Sequence, residues 1–124
     1  MRKILIVEDN PTNMSFFVAV LERGGHKVLQ AEDAVAGIRL ARATHPDLIF
    51  MDIQLPGMDG LEATRQLKAD PATRTIPICA LTAFAMKGDE ERIRAAGCDG
   101  YLAKPVSYKD LLATAASAKF PIHP

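Results

Sequence analysis

Four apolar runs in this sequence stop at a residue that can handle charge. Lys3 to Val7 ends in Glu8-Asp9, Leu48 to Met51 in Asp52, Ile76 to Leu81 in Thr82, and Tyr101 to Ala103 in Lys104. Carboxylates gathered in one place repel one another, so either some hold a proton or a cation shares the site. Magnesium suits such a set, because it takes a few carboxylate oxygens together with waters and phosphate oxygens. Calcium asks for more ligands than two or three acids supply, and zinc prefers nitrogen or sulfur. A lysine and a hydroxyl added to Mg²⁺ meet the needs of phosphoryl transfer, in which charge on three equatorial oxygens must be neutralised. The nucleophile can then be a carboxylate, giving an aspartyl phosphate. Asp52 is expected in that role, Glu8 and Asp9 as metal ligands, and Lys104 and Thr82 at the phosphoryl oxygens. Taken singly, each has a plainer reading: a solvated strand end, an acidic turn, a surface lysine, a strand terminus. Their joint placement at four strand ends is what argues for chemistry.

That placement depends on the elements around them. Leu48 to Met51 is too continuously apolar for a half-solvated strand and reads as one buried on both faces, as in a parallel sheet. Asn10-Pro11 gives a helix start, with Asn10 as the cap and Pro11 in the first turn, and Gly24 ends that helix after Arg23. Around it, Phe17 and Leu21 fall at the centre of the apolar arc, Val20 beside them, and Phe16 and Val18 on opposite edges. So wide an arc fits either a helix well covered by its neighbours or a partly exposed docking surface.

His26 to Ala31 reads as a short strand. Asp33 opens a helix with Val35, Ile38 and Ala41 on one side, closed by Pro46. Asp59 with Glu62 three residues later forms a capping box for a helix through Lys68, which Asp70-Pro71 stops. The helical stretch after Lys87 is heavily charged and offers mainly Ile93 and Ala96 to a core, so it should be weakly anchored and free to move. The last helix runs from about Tyr108 to Ala118, with Leu111, Leu112 and Ala115 inward. Strand and helix alternate five times, which predicts a doubly wound α/β sandwich. Right-handed crossovers bring the carboxyl ends of all five parallel strands to one edge.

The 124 residues fit one domain, with 1–119 as the domain and 120–124 as a short tail. Fifteen Lys plus Arg balance fifteen Asp plus Glu, so the chain lacks the basic footprint of a nucleic-acid binder or of a protein drawn to acidic membranes. Cys79 and Cys98 have neither metal nor redox spacing and read as small buried apolar residues. Met1-Arg2-Lys3 runs straight into a strand and no apolar run approaches a membrane span, which makes the cytoplasm the default location.

Glu8-Asp9, Asp52 with Leu55-Pro56-Gly57-Met58-Asp59-Gly60, Thr82-Ala83, and Tyr101 ahead of Lys104-Pro105 resemble the receiver domain of two-component response regulators, in order and spacing, over essentially the whole chain. Ile6-Val7-Glu8-Asp9-Asn10 and the stretch from Thr82 to Arg94 look most like the single-domain cell-cycle members of that family. The resemblance implies a flavodoxin-like (βα)5 fold with strand order 2-1-3-4-5. It implies that Asp52 accepts a phosphoryl group from a histidine kinase or histidine phosphotransfer protein. Asp9, Asp52 and the backbone carbonyl of Gln54 would bind Mg²⁺ directly, and Glu8 through water. Thr82 and Tyr101 would form the switch pair, Lys104 would bond a phosphoryl oxygen, and the peptide before Pro105 would be cis. The implied protein is a phosphoacceptor signalling protein that catalyses its own phosphoryl transfer and dephosphorylation, acting on a downstream protein target and not on nucleic acid. Phe16, Val18, Phe84, Met86 and Tyr101 are candidates for the partner surface. Phe84 and Met86 are equally readable as loop anchors, and Phe84 lies near enough to Thr82 to shield a phosphoryl group from water.

Competing readings stay open. A chemotaxis-type motor regulator, a phosphorelay intermediate and the excised receiver of a hybrid kinase would carry the same residues. An aspartyl-phosphate phosphatase would place a second Asp two residues after the nucleophile, where this chain has Gln54. A nucleotide-binding flavodoxin-like module would need glycines or hydroxyls after the first strand, where Glu8-Asp9-Asn10-Pro11 stands.

Overall fold

A computed structural model describes residues 2–83 and 87–117. Five strands and five helices alternate along it: β1 (Lys3–Val7), α1 (Pro11–Arg23), β2 (Lys27–Ala31), α2 (Ala34–Thr44), β3 (Leu48–Asp52), α3 (Gly60–Ala69), β4 (Ile78–Thr82), α4 (Lys87–Ala96), β5 (Gly100–Ala103) and α5 (Tyr108–Ala116). The strands form one parallel sheet of order β2-β1-β3-β4-β5, the flavodoxin-like arrangement that the resemblance implies. Every residue of β3 and β4 is buried, which is why their sequences lack polar alternation.

Successive side chains leave the sheet on opposite faces, and two cores result. Leu5, Val7, Ile49, Met51, Ile78 and Ala80 meet Ile38 and Ala41 of α2, Leu61 and Leu67 of α3, and Ile93 and Ala96 of α4. Ile4, Ile6, Leu48, Phe50 and Leu81 meet Met14, Phe17 and Leu21 of α1 and Leu111 and Ala115 of α5. Phe50 is fully buried at the middle of the central strand, a contribution of roughly 1.5–3 kcal/mol relative to an exposed ring.

Capping follows the sequence signals. The side chains of Asn10, Asp33, Asp59 and Ser107 accept from the backbone N–H three residues on, at Asn13, Ala36, Glu62 and Asp110. Only half of the expected capping box forms: Glu62 turns along its helix, to Arg65 (3.3 Å) and Gln66 (3.3 Å).

Several expectations are displaced. Val35 is 53% exposed and not part of the inner side of α2; Ala34, Gly37, Ile38 and Ala41 form the buried stripe at helical spacing, and Val35 lies about a quarter-turn away from it. The second strand begins at Lys27, because the His26 N–H returns to the Leu21 carbonyl of the preceding helix (3.1 Å). The fourth begins at Ile78: Pro77 has no N–H to give, and the Ile76 N–H closes a turn on the Thr73 carbonyl (3.0 Å). On α5 Leu112 is half-buried and Thr114 fully buried, and the helix reaches Ala116. Cys79 and Cys98 are free, buried thiols, as the sequence suggested.

Candidate functional site

The parallel register carries the candidate residues to one edge. Val7 pairs with Met51, so Glu8 follows level with Asp52; Thr82 pairs with Ala103, and Lys104 comes next. Asp52 itself pairs with Leu81 on the central strand. The loop after β3 closes down on this edge because α3 begins with a residue that has no side chain. A Cβ on Gly60 would stand 2.1 Å from the Asp52 carbonyl oxygen and 2.7 Å from the Ile53 Cα, so only glycine fits.

Lys104 reaches back over the sheet edge. Its Nζ lies 2.9 Å from Asp52 Oδ2 and 3.0 Å from Glu8 Oε1. Asp52 is 2% exposed and Glu8 1%, so the ammonium lies between two carboxylates that have almost no water. The Gln54 N–H donates to Asp52 Oδ1 (2.9 Å), and the Asn10 N–H donates to Glu8 Oε2 (3.1 Å), which leaves both carboxylates held in place at each oxygen. Asp9 projects outward from the same edge, and carboxylate oxygens of Glu8, Asp9 and Asp52 lie within 4.8 Å of one another.

The electrostatics follow. Burial pushes the Glu8 carboxyl above its ordinary value and the hydrogen bond and charge of Asp52 push it further, against the opposing pull of Lys104 and the Asn10 N–H. For Lys104, burial works to lower its pKa, but the bonds to Asp52 and Glu8 outweigh it and hold the ammonium above its ordinary value. This is an acidic edge with one half-buried cation for two buried carboxylates and a third carboxylate at its rim. The donors are all oxygen, without His or Cys, a set that suits a hard divalent ion. Magnesium fits these residues.

Thr82 is fully buried at the end of β4. Tyr101 is half-buried on β5, its ring against the α2–α4 core and its hydroxyl donating to Glu90 Oε2 of α4 (3.2 Å). The peptide between Lys104 and Pro105 is cis. Gln54 is exposed beside the site. Of the surface candidates, Phe16 is 41% exposed, whereas Val18 is half-buried against the α1–α5 core. Phe84 and Met86 fall outside the described residues. Phe16 with Thr12, Asn13, Lys104, Pro105 and Val106 lines a groove of about 540 Å³ that opens beside the acidic edge.

Comparison with known proteins decides what this edge belongs to. Residues 4–116 match the response regulator receiver domain. The chain belongs to that family. This receiver is 49% identical over 113 residues to the polar-differentiation response regulator DivK of Brucella ovis, with 91% of this chain and 92% of DivK covered. Among solved structures it resembles the receiver domain of a sensor histidine kinase from Pseudomonas aeruginosa, whose structure has a magnesium ion coordinated in the active site cleft. That likeness has TM-score 0.84 and 41% identity over 90% of this chain and 92% of the other. It also resembles the chemotaxis protein CheY4 of Vibrio cholerae, with TM-score 0.88 and 27% identity over 93% and 96% of the two chains. The protein is thus a response regulator receiver with DivK among its relatives, and the described part of the matched stretch has the receiver fold. It is a signalling domain and not a classical enzyme. No described helix is long and apolar enough to cross a membrane.

Two features of this receiver escape a reading of the sequence. One is that Lys104 bridges both buried acids, when the sequence shows only a lysine at a strand end. The other is the set of bonds on either side of β5: Tyr101 to Glu90 of α4, and Lys68 Nζ to Asp99 Oδ2 in the turn before β5 (2.8 Å) and to the Ile76 carbonyl (2.9 Å). The odd placement of Asp99 just before a strand was the available signal for the second.

Proposed function

We propose that Asp52 accepts a phosphoryl group from a histidine kinase or histidine phosphotransfer protein, in the cytoplasm, with Mg²⁺ bound, and that this alters a protein-binding surface. The observation that carries this reading is the carboxylate of Asp52, fixed at both oxygens at the end of the central strand, with Lys104 on it and Glu8 and Asp9 within 4.8 Å. Asp9, Asp52 and the Gln54 carbonyl would hold the metal directly and Glu8 through water. Bound there, Mg²⁺ would supply positive charge against the phosphoryl oxygens.

The chain's own residues account for the rest. An oxygen of Asp52 forms a bond to phosphorus as the phosphorus–nitrogen bond of the phosphohistidine breaks, and the departing imidazole takes a proton from solvent. Lys104 shifts its pairing from the carboxylates to a phosphoryl oxygen, and the Thr82 hydroxyl donates to another. Attack by water on the same phosphorus returns Asp52 and inorganic phosphate. The new charge, about −2 at neutral pH, draws Thr82 and Lys104 inward, and Tyr101 and α4 respond. Phe16, exposed on the groove beside Pro105, supports docking of the phosphodonor across α1 and the β5–α5 connection. The DivK relatives support an output in polar differentiation and the cell cycle through protein partners.

The test is intact mass after incubation with acetyl phosphate, with and without Mg²⁺, on the native protein and on Asp52→Ala. One phosphoryl group gained only with metal, and lost in the variant, supports the reading. No gain from acetyl phosphate or from a phosphorylated histidine phosphotransfer protein overturns it. A second reading, a receiver belonging to a hybrid kinase, is favoured by the 41% identity to the Pseudomonas kinase receiver. Immunoblotting of the source cells separates the two by whether the receiver runs near 13.4 kDa or within a longer chain.

A further inference from the structure

The carboxylate of Glu90 serves two partners at once. Its Oε2 accepts from the Tyr101 hydroxyl at 3.2 Å, and its Oε1 pairs with Arg94 one turn further along α4 at 2.9 Å. Arg94 thereby orients the carboxylate, and the carboxylate ties β5 to a helix whose own hold on the core is slight. Of the described side chains of α4 only Ile93 and Ala96 are buried, and the helix carries its charge in short pairs such as Asp89 with Arg92 (2.9 Å). The Tyr101 ring is half-buried, so its hydroxyl is held at the surface end of the ring, on the α4 side.

We propose that Glu90 is a positioning residue for the switch: it holds Tyr101 outward against α4 in the resting protein and so sets how readily phosphorylation at Asp52 is converted into a changed α4–β5 face. This rests on the reading of Asp52 as the phosphoacceptor and of Tyr101 as the residue that moves.

The physical argument is one of competing states. A ring that turns inward must give up its bond to Glu90, so this bond stabilises the resting state alone and shifts the equilibrium by its full differential strength. At 3.2 Å, on a half-exposed carboxylate, it belongs at the weaker end of charge-assisted hydrogen bonds, a bias of about 3- to 10-fold. That is strong enough to suppress spontaneous switching and weak enough for a phosphoryl group to overcome. Burial, together with the bond and charge of Glu90, raises the Tyr101 phenol above its ordinary value against the opposing charge of Arg94, as a donor engaged with a carboxylate should be.

The chain offers its own probe. It contains no tryptophan and two tyrosines, so in a Tyr108→Phe background the tyrosine signal is that of Tyr101. Beryllofluoride with Mg²⁺, a phosphoryl mimic, is titrated into this protein and into its Glu90→Ala and Glu90→Gln variants, with affinity read by calorimetry and Tyr101 followed by fluorescence. In Glu90→Ala, affinity should rise about 3- to 10-fold and resting Tyr101 emission should rise, because the carboxylate that accepts its proton is gone. Glu90→Gln keeps an acceptor and should stay within about twofold of the parent. In a Tyr101→Phe background, Glu90→Ala should change nothing. A gain that persists without the Tyr101 hydroxyl, or an unchanged affinity and emission in Glu90→Ala, overturns the inference. Failure of the parent itself to bind beryllofluoride overturns the phosphoacceptor reading instead, so the two failures are distinct.

Discussion

Lys104 Nζ stands 2.9 Å from Asp52 Oδ2, and the same nitrogen is 3.0 Å from Glu8. The resting site is therefore closed by a cation of the chain's own. Lys104→Met should leave two buried carboxylates facing each other without it. The metal-free protein is expected to lose roughly 3 kcal/mol at neutral pH, the scale of breaking a buried ion pair from one side. Urea unfolding in chelator and in excess Mg²⁺ checks this, because the divalent ion should restore much of the loss. Phosphorylation should fall even where stability returns.

Glu8 gives the pH dependence. Its carboxyl is raised in the folded protein, by burial first and by Asp52 second, so the folded state holds a proton more tightly than the unfolded chain. Its contribution to stability is therefore present below the unfolded value of 4.5 and is lost as pH rises through the raised folded value. Glu8→Gln should remove that decline and unfold at higher urea than the native protein at pH 8 in chelator. The same variant should respond less to Mg²⁺. Unfolding midpoints from pH 4.5 to 8, with and without metal, test both halves.

Gly60→Ala should damage the site without touching a charged group. A methyl 2.1 Å from the Asp52 carbonyl oxygen meets backbone that cannot move aside cheaply. A loss of about 3 kcal/mol or more is expected, at the upper end for overpacking. Because the obstructed atoms belong to Asp52 and Ile53, Mg²⁺-dependent phosphorylation should fall in the molecules that still fold. Thermal unfolding together with intact mass after acetyl phosphate reads both.

Far from the acids, Lys68 of α3 ties the approach to β4 to the turn between α4 and β5. Its Nζ donates to the Arg74 carbonyl (3.2 Å), the Ile76 carbonyl (2.9 Å) and Asp99 Oδ2, and that same oxygen accepts from the Ile78 N–H (2.9 Å). Lys68→Met keeps most of the aliphatic stem, which lies against Gly97, and removes only the donor. We expect a loss of about 1.5–3 kcal/mol, as for a hydrogen-bonded charge. Amide exchange at Ile78 should quicken more than exchange at the centre of β3.

Much of the fold and the site was legible because both rest on local patterns. An apolar run that stops at an acid or a hydroxyl announces a buried strand and puts that polar residue at its carboxyl end, and the places of Asp52, Glu8 and Thr82 were readable on that basis. Asn10, Asp33 and Asp59 announced their helices for an equally local reason. What escaped depends on pairs distant in sequence. Nothing near Glu90 marks it as the partner of Tyr101, and nothing near Lys68 points to Asp99. Strand ends at His26 and Ile76 were misplaced because a helix end and a turn claimed their backbone groups. Val35 was misread because an apolar residue at the edge of a stripe looks the same on a helical wheel whether or not a neighbour covers it. Strand order came from the resemblance, since alternation alone does not say which strand lies beside which.

The bridge from Lys104 spans 52 residues to Asp52 and 96 to Glu8. The chain is made from its amino terminus, so the two acids leave the ribosome long before the lysine that neutralises them. While Lys104 is still in the exit tunnel, Glu8 and Asp52 have only water and dissolved cations to face; the finished protein replaces these with a side chain of its own.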